Sequence, residues 1–217
     1  MRMWVCGLLL WGMSFAASAG NLGYDYLDLA YSKQSNDYGF SGGDGYRLGG
    51  DWDIGGGFLV EGSYQHNRFE QTIGIVIPPF QPELTLDDYR LGVGYRLPLG
   101  ERVELVSLLG YGANSTKYER PGISVTQSDH TPWLAVGVRA EVADALEVDA
   151  ALEHDNSALE FKRAPSGVIY MRQDARENVI SLAARYHSAG PFSAGLEYRH
   201  GNQNGSREWL ASARWDF

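Results

Sequence analysis

Cysteine is all but missing from this chain: the one thiol in 217 residues is Cys6. That excludes a disulfide framework, a cysteine-type zinc site and thiol chemistry. Positive charge is also scarce, with 18 Lys+Arg against 27 Asp+Glu and a formal net charge of −9. No basic cluster stands out, so a nucleic-acid partner is excluded, because neutralising phosphates takes grouped Lys and Arg. Beyond Gly20 there is no run of about 18 apolar residues, hence no membrane-spanning helix. Sustained helical periodicity is absent too.

The start of the chain differs from the rest. Arg2 is followed by the apolar stretch Val5 to Phe15 and then Ala16-Ala17-Ser18-Ala19. Small residues at Ala17 and Ala19 fit an A-x-A cleavage site, so residues 1–19 read as a signal peptide and residues 20–217 as one domain. An uncleaved anchor helix is the rival, but the apolar core is too short to span comfortably. Cys6 lies too early for a lipoprotein. Cleavage would remove Cys6, leaving a thiol-free chain suited to crossing an oxidising periplasm unfolded.

What recurs downstream is strict alternation, the mark of strands with two unlike faces. In 46–54 one face reads Tyr, Leu, Gly, Trp, Ile and the other Arg, Gly, Asp, Asp; 89–97 repeats the scheme. The spacing predicts about ten strands, near 22–34, 43–54, 57–68, 85–97, 102–115, 131–143, 146–157, 176–187, 191–201 and 207–217. Short connections (Gly55-Gly56-Gly57, Pro98 to Glu101, Ala143 to Ala145, Ser188 to Gly190) alternate with longer ones near 35–42, 69–84, 116–130, 158–175 and 202–206. That asymmetry, with an even strand number, predicts an all-β, antiparallel up-and-down barrel of the outer membrane, with short periplasmic turns and longer extracellular loops.

A soluble β-sandwich also alternates, so the sorting of side chains must decide. The polar faces carry Arg47, Asp51, Glu61, Arg90, Arg96, Glu104, Arg139, Glu147, Asp149, Glu177, Arg185, Glu197, Arg199 and Arg214. On the apolar faces, Tyr46, Tyr64, Tyr89, Tyr111, Tyr198 and Trp209 fall near loop ends. Trp52, Phe58, Tyr95, Tyr186, Phe192, Trp215 and Phe217 fall near turn ends. Two aromatic belts flanking an aliphatic band match two bilayer interfaces. The charged face then lines the lumen, where both signs in comparable number predict an Arg/Asp/Glu network.

The final strand, 209–217, ends on Phe217 with apolar residues at every second place, and resembles the C-terminal strand by which outer-membrane barrels are recognised for assembly. The segments Tyr24-Asp25-Tyr26-Leu27-Asp28-Leu29-Ala30-Tyr31, Gly45-Tyr46-Arg47-Leu48-Gly49-Gly50 and Asp88-Tyr89-Arg90-Leu91-Gly92-Val93-Gly94-Tyr95 resemble a family of small surface barrels of xanthomonads and their relatives. The resemblance implies fold and location, with contacts to outer-membrane lipid, lipopolysaccharide and the barrel-assembly machinery. It implies no defined activity.

Catalytic candidates are few. Glu153-His154-Asp155-Asn156-Ser157 holds hydrolase residue types, but successive strand side chains diverge, and the His-x-Ser-Asn order of a lipid A deacylase is absent. Omptin-type proteases set an acidic pair opposite an Asp-His pair; Asp87-Asp88 and His154-Asp155 are adjacent neighbours rather than i and i+2. His66, His130, His187 and His200 sit at strand ends without carboxylates at ligand spacing. No enzyme activity, cofactor or metal is expected. Inward glycines (Gly49, Gly92, Gly94, Gly110, Gly137, Gly195) read as relief for curvature and for long arginines, a narrow channel being the alternative. Function then falls to the loops. Ile73, Ile75, Val76, Ile77, Pro78, Pro79 and Phe80 make an apolar stretch fit either for a surface or host contact or for packing on the rim. Lys162, Arg163, Arg172 and Arg176 are candidates for lipopolysaccharide phosphates.

Overall fold

The computed structural model describes residues 22–35, 40–71, 83–120, 123–163, 169–202 and 205–217. The leader 1–19 and the apolar loop stretch 73–80 lie outside the described residues. Period-two alternation becomes ten strands: β1 (Tyr26–Ser35), β2 (Phe40–Gly55), β3 (Phe58–Gln71), β4 (Glu83–Pro98), β5 (Val103–Arg120), β6 (Ile123–Ala143), β7 (Leu146–Arg163), β8 (Ile169–His187), β9 (Phe192–Gly201) and β10 (Arg207–Asp216). Each pairs antiparallel with its sequence neighbours. β1 closes on β10, with Leu29 opposite Ala213, so the sheet has no free side edge along the wall. The β2–β3 turn runs through Gly55, Gly56 and Gly57, all at positive φ (93°, 66° and 84°), which side-chain-bearing residues resist.

The two faces sort against the rule for soluble proteins. Leu29, Leu91, Val93, Leu109, Leu152, Ile180 and Leu182 are each more than half exposed, whereas Asp28, Glu104, Arg139, Glu147 and Arg214 are buried. A continuous apolar exterior is favourable only in hydrocarbon. A soluble sandwich or ligand-binding barrel has the opposite sorting.

Both aromatic belts stand on that exterior. At the loop end Tyr64 stacks between Tyr46 and Tyr89, at centroid distances of 6.0 and 4.7 Å, and Tyr198 meets Trp209 at 4.7 Å; Tyr111 is also exposed there. At the turn end Phe58 meets Tyr95 at 5.2 Å and Trp215 meets Phe217 at 5.7 Å, with Trp52, Tyr186 and Phe192 exposed on the same rim.

Two expectations of extent are corrected. Residues 116–130 and 158–175 are not long loops. β5 and β6 stay paired out to Arg120 opposite Ile123, and β7 and β8 to Arg163 opposite Ile169. In β5 and β6 the described outward residues Lys117, Glu119, Ser124, Thr126 and Ser128 are polar and exposed, so there the apolar signature of a membrane strand stops while the ladder continues. The two hairpins part from each other, while β5 stays paired with β4 out to Glu119 opposite Glu83. β6 pairs with β7 only as far as Trp133 opposite Asp155. The next residue out is Pro132, whose carbonyl faces Asn156 at 3.5 Å; its missing N–H therefore falls on the β7 side and ends the ladder there.

The second correction is at the start. β1 begins at Tyr26, and residues 22–25 leave the wall and turn into the lumen, where Leu22 and Tyr24 are buried against Leu59, with Val106 alongside.

Candidate functional site

The lumen gathers the chain's buried charge. Its loop-end tier is built from three arginines on β2, β4 and β9. Arg90 bonds Asp88 at 2.7 Å, Asp155 at 2.9 Å, and Glu153. Arg199 reaches Glu153 at 2.8 Å and Glu208 at 3.6 Å. Arg47 crosses to Glu197 at 2.9 Å, a partner 150 residues away, and lies 3.8 Å from Asp28. Gln65 donates to Glu208 at 2.5 Å.

The turn-end tier is drier. Glu147 is the hub: Arg139 donates to it at 2.7 Å, Arg214 lies at 3.9 Å and the His187 ring nitrogen at 3.2 Å. Arg185 donates to Asp28 at 3.0 Å. Arg96 pairs with Asp53 and lies 3.8 Å from Glu104.

Into this tier comes the strap of residues 22–25. The Tyr24 hydroxyl donates to Glu104 at 2.7 Å, and the Gly23 carbonyl accepts from Arg139 at 3.2 Å and Arg214 at 2.7 Å. The Arg139 and Arg96 guanidinium groups approach the Tyr24 ring at 4.5 and 5.0 Å, a cation–π arrangement made stronger by the loss of water. Burial, and then the bond to Glu104, pushes the Tyr24 hydroxyl above its ordinary pKa against the pull of Arg139.

Between the tiers lies a cavity of about 270 Å³. Asp51, Glu61 and Asp149 face it, and the small residues Gly49, Gly137, Ala151, Ser181 and Ala183 also line it. Asp51 takes the Tyr26 hydroxyl at 2.6 Å, and Asp149 lies 3.9 Å from Arg139.

Most of the residues chosen from sequence gather here. Glu177 does not: it stands at the loop-end rim, accepting from the Ser206 hydroxyl at 3.1 Å. The expected balance of signs does not hold either. Asp28, Asp53, Asp88, Glu153, Asp155 and Glu208 join the interior with no matching set of further arginines, so the lumen is acidic. Their parity was readable for Glu153 and Asp155, which continue the Glu147, Asp149 series on β7.

Trp133 was missed as well. It shares parity with Arg139 and points inward, nearly fully buried, with Arg90 5.8 Å from its ring. Gly92 and Gly110 make the bed for its indole: a Cβ at either would come within 2.8 Å of it. Gly195 does make room for an arginine, Arg185.

The catalytic candidates separate as strand geometry requires. Asp88 and Asp155 point inward and both hold Arg90, while Asp87 points outward to Tyr64 and His66, each at 2.8 Å. His154 faces Asn178 at 2.8 Å on the outside. His66 and His187 do have carboxylate partners, Asp87 and Glu147, supplied by neighbouring strands and so invisible in linear spacing. No cluster able to hold a metal is found among the described residues.

A charged, sealed-looking interior inside an apolar, doubly belted exterior defines a transmembrane β-barrel protein. The chain belongs to the family described as outer membrane protein beta-barrel domain, whose model matches residues 6–187, and its location is accordingly the Gram-negative outer membrane. Among solved structures it is similar to Ail, the attachment invasion locus protein of Yersinia pestis (15% identity, 88% of this chain and 96% of that one, TM-score 0.42). It is also similar to an outer membrane channel from Pseudomonas putida F1 (10%, 90% and 96%, TM-score 0.51) and to the outer membrane protease OmpT from Escherichia coli (8%, 89% and 94%, TM-score 0.52). At these identities the likeness is one of fold. No curated protein matches the sequence significantly.

Proposed function

We propose that this is a non-enzymatic outer-membrane barrel whose work is done outside the membrane, by its projecting ribbons and loops. The observation that carries the reading is the length of the β5–β6 ribbon beyond the outer belt. Tyr111 opposite Pro132 marks the belt, and pairing continues for nine more residue pairs to Arg120 opposite Ile123. At about 3.4 Å per residue that ribbon runs roughly 30 Å along the strand. Its outward residues Lys117, Glu119, Ser124, Thr126 and Ser128 are polar and exposed, so it is built for water and contact rather than lipid. Among the described residues β6 pairs with β7 only as far as Trp133, so the projecting hairpin presents its β6 side away from the β7 wall.

Supporting features fit the same role. Among the described residues the arginine–carboxylate tiers leave no coherent nucleophile, base and orienting set in the lumen. The leader 1–19 is taken as removed on export, and 209–217 as the strand read by the assembly machinery. Exposed Arg176 and the apolar stretch 73–80 are further contact candidates, towards lipopolysaccharide phosphate and a host or neighbouring surface. Deleting 116–127 joins Ser115 to its own partner Ser128 and so keeps register. Cells carrying the trimmed barrel should settle together and attach to glass less than cells carrying the full one, at equal barrel abundance. Unchanged attachment would remove the ribbon from the account.

A further inference from the structure

The strap of residues 22–25 is held in a way that ordinary barrel wall is not. Every wall strand is fixed by ladders on both sides, but the β1 ladders begin at Tyr26. Residues 22–24 are held by side chains: the two arginines on the Gly23 carbonyl, and Tyr24 on Glu104. Asp25 is the anchor, its carbonyl accepting from the Phe217 amide at 3.1 Å and its carboxylate from the Asp53 amide at 3.0 Å. A segment pinned at one end and latched by side chains at the other is a hinged plug.

Withdrawing it would leave the arginines paired, and Glu104 with Arg96 at 3.8 Å. Arg139 keeps Glu147, Arg214 keeps Asp216 at 2.6 Å, and Arg96 keeps Asp53. Each of these charges thus keeps an opposite charge within 4 Å, and the cost of opening falls on Glu104, which gives up its hydrogen bond from Tyr24. The plug borders the cavity faced by Asp51, Glu61 and Asp149, with Tyr24 in its lining. Asp51 and Glu61 are direct cross-strand partners, a like-charged pair that a ladder would ordinarily avoid. Arginines line it too, but eight carboxylates outnumber the six guanidinium groups, and an excess of one sign between low-dielectric walls concentrates counter-ions.

We propose that residues 22–25 are a gate, and that behind them the lumen is a conduit selective for small monovalent cations. This goes beyond the surface role and does not depend on it: attachment can be lost with the gate intact, and the reverse.

Planar-bilayer recording of protein extracted from outer membranes, under a potassium chloride gradient, tests the proposal. The native barrel is expected to stay closed for most of the record. Leu22→Ala with Tyr24→Ala should give sustained openings, and their reversal potential should show a preference of about tenfold for potassium over chloride. Adding Glu61→Gln and Asp149→Asn should bring that preference towards unity. Heat-shifted mobility on a gel verifies folding in each case. Should the double alanine variant not fold, Tyr24→Phe keeps the ring, loses the Glu104 latch and should give brief openings. Folded variants as silent as the native barrel, a native barrel that conducts as freely as they do, or openings that prefer chloride would each overturn the proposal.

Discussion

The two halves of the lumen use the same chemistry in different solvent. At the turn end, Arg139 and Glu147 have side chains 7% and 2% exposed, and the strap covers them. At the loop end, Arg90 and Glu153 are 17% and 15% exposed. Further out, Lys117 and Glu119 on the β5 ribbon form a 2.8 Å pair at 45% and 46%. One interaction type thus runs from dry to wet along the barrel axis. Geometry barely changes on that path, so any gradient in worth must come from desolvation. An ion pair in water is repaid weakly for being made, while one in a dry interior is costly to leave half-made.

Three substitutions sharpen or break that comparison. The largest effect is expected from Glu147→Ala, which takes from nearly buried Arg139 its 2.7 Å partner, leaving only Asp149 at 3.9 Å, and from Arg214 a 3.9 Å contact beside Asp216: about 3–5 kcal/mol of lost stability, read by urea titration of the barrel folded into vesicles. Glu153→Ala also takes a carboxylate from two arginines, but Arg90 keeps Asp88 and Asp155 and Arg199 keeps Glu197; about 1.5–3 kcal/mol is expected from the same titration. Lys117→Ala should cost at most about 0.5 kcal/mol and vanish in high salt. Equal losses at Glu147 and Glu153 would mean that water reaches both tiers alike and that the strap seals nothing.

The wall was legible in the sequence because its rule is local. Leu91, Val93 and Tyr95 alternate with Arg90, Gly92, Gly94 and Arg96, and a parity of two suffices to sort lipid from lumen. The β5–β6 extension was not legible, since its outward positions Lys117, Glu119, Ser124, Thr126 and Ser128 lose the apolar half of the alternation while the ladder continues; the β7–β8 extension was hidden by Pro165 and Gly167, which read as loop. The lumen partners were hidden for another reason. Arg47 and Glu197 meet across the barrel, 150 residues apart, and no linear spacing encodes that. Tyr24 was misread because 22–31 alternates as smoothly as any strand. What diverts it is the set of arginines on β4, β6 and β10 that coordinate the strap, none of them near it in sequence.

The strap also records the order in which the molecule is put together. Its Gly23 carbonyl is held by Arg214, 191 residues downstream, and its anchor Asp25 receives the amide of Phe217, the last residue of the chain. Neither contact can form until β10 has arrived beside β1. The Arg214 bond to Gly23 and the Phe217 bond to Asp25 therefore report on seam closure, and a chain stalled with nine strands would hold this segment only through Tyr24 and Arg139: a structural mark by which an unfinished barrel differs from a finished one.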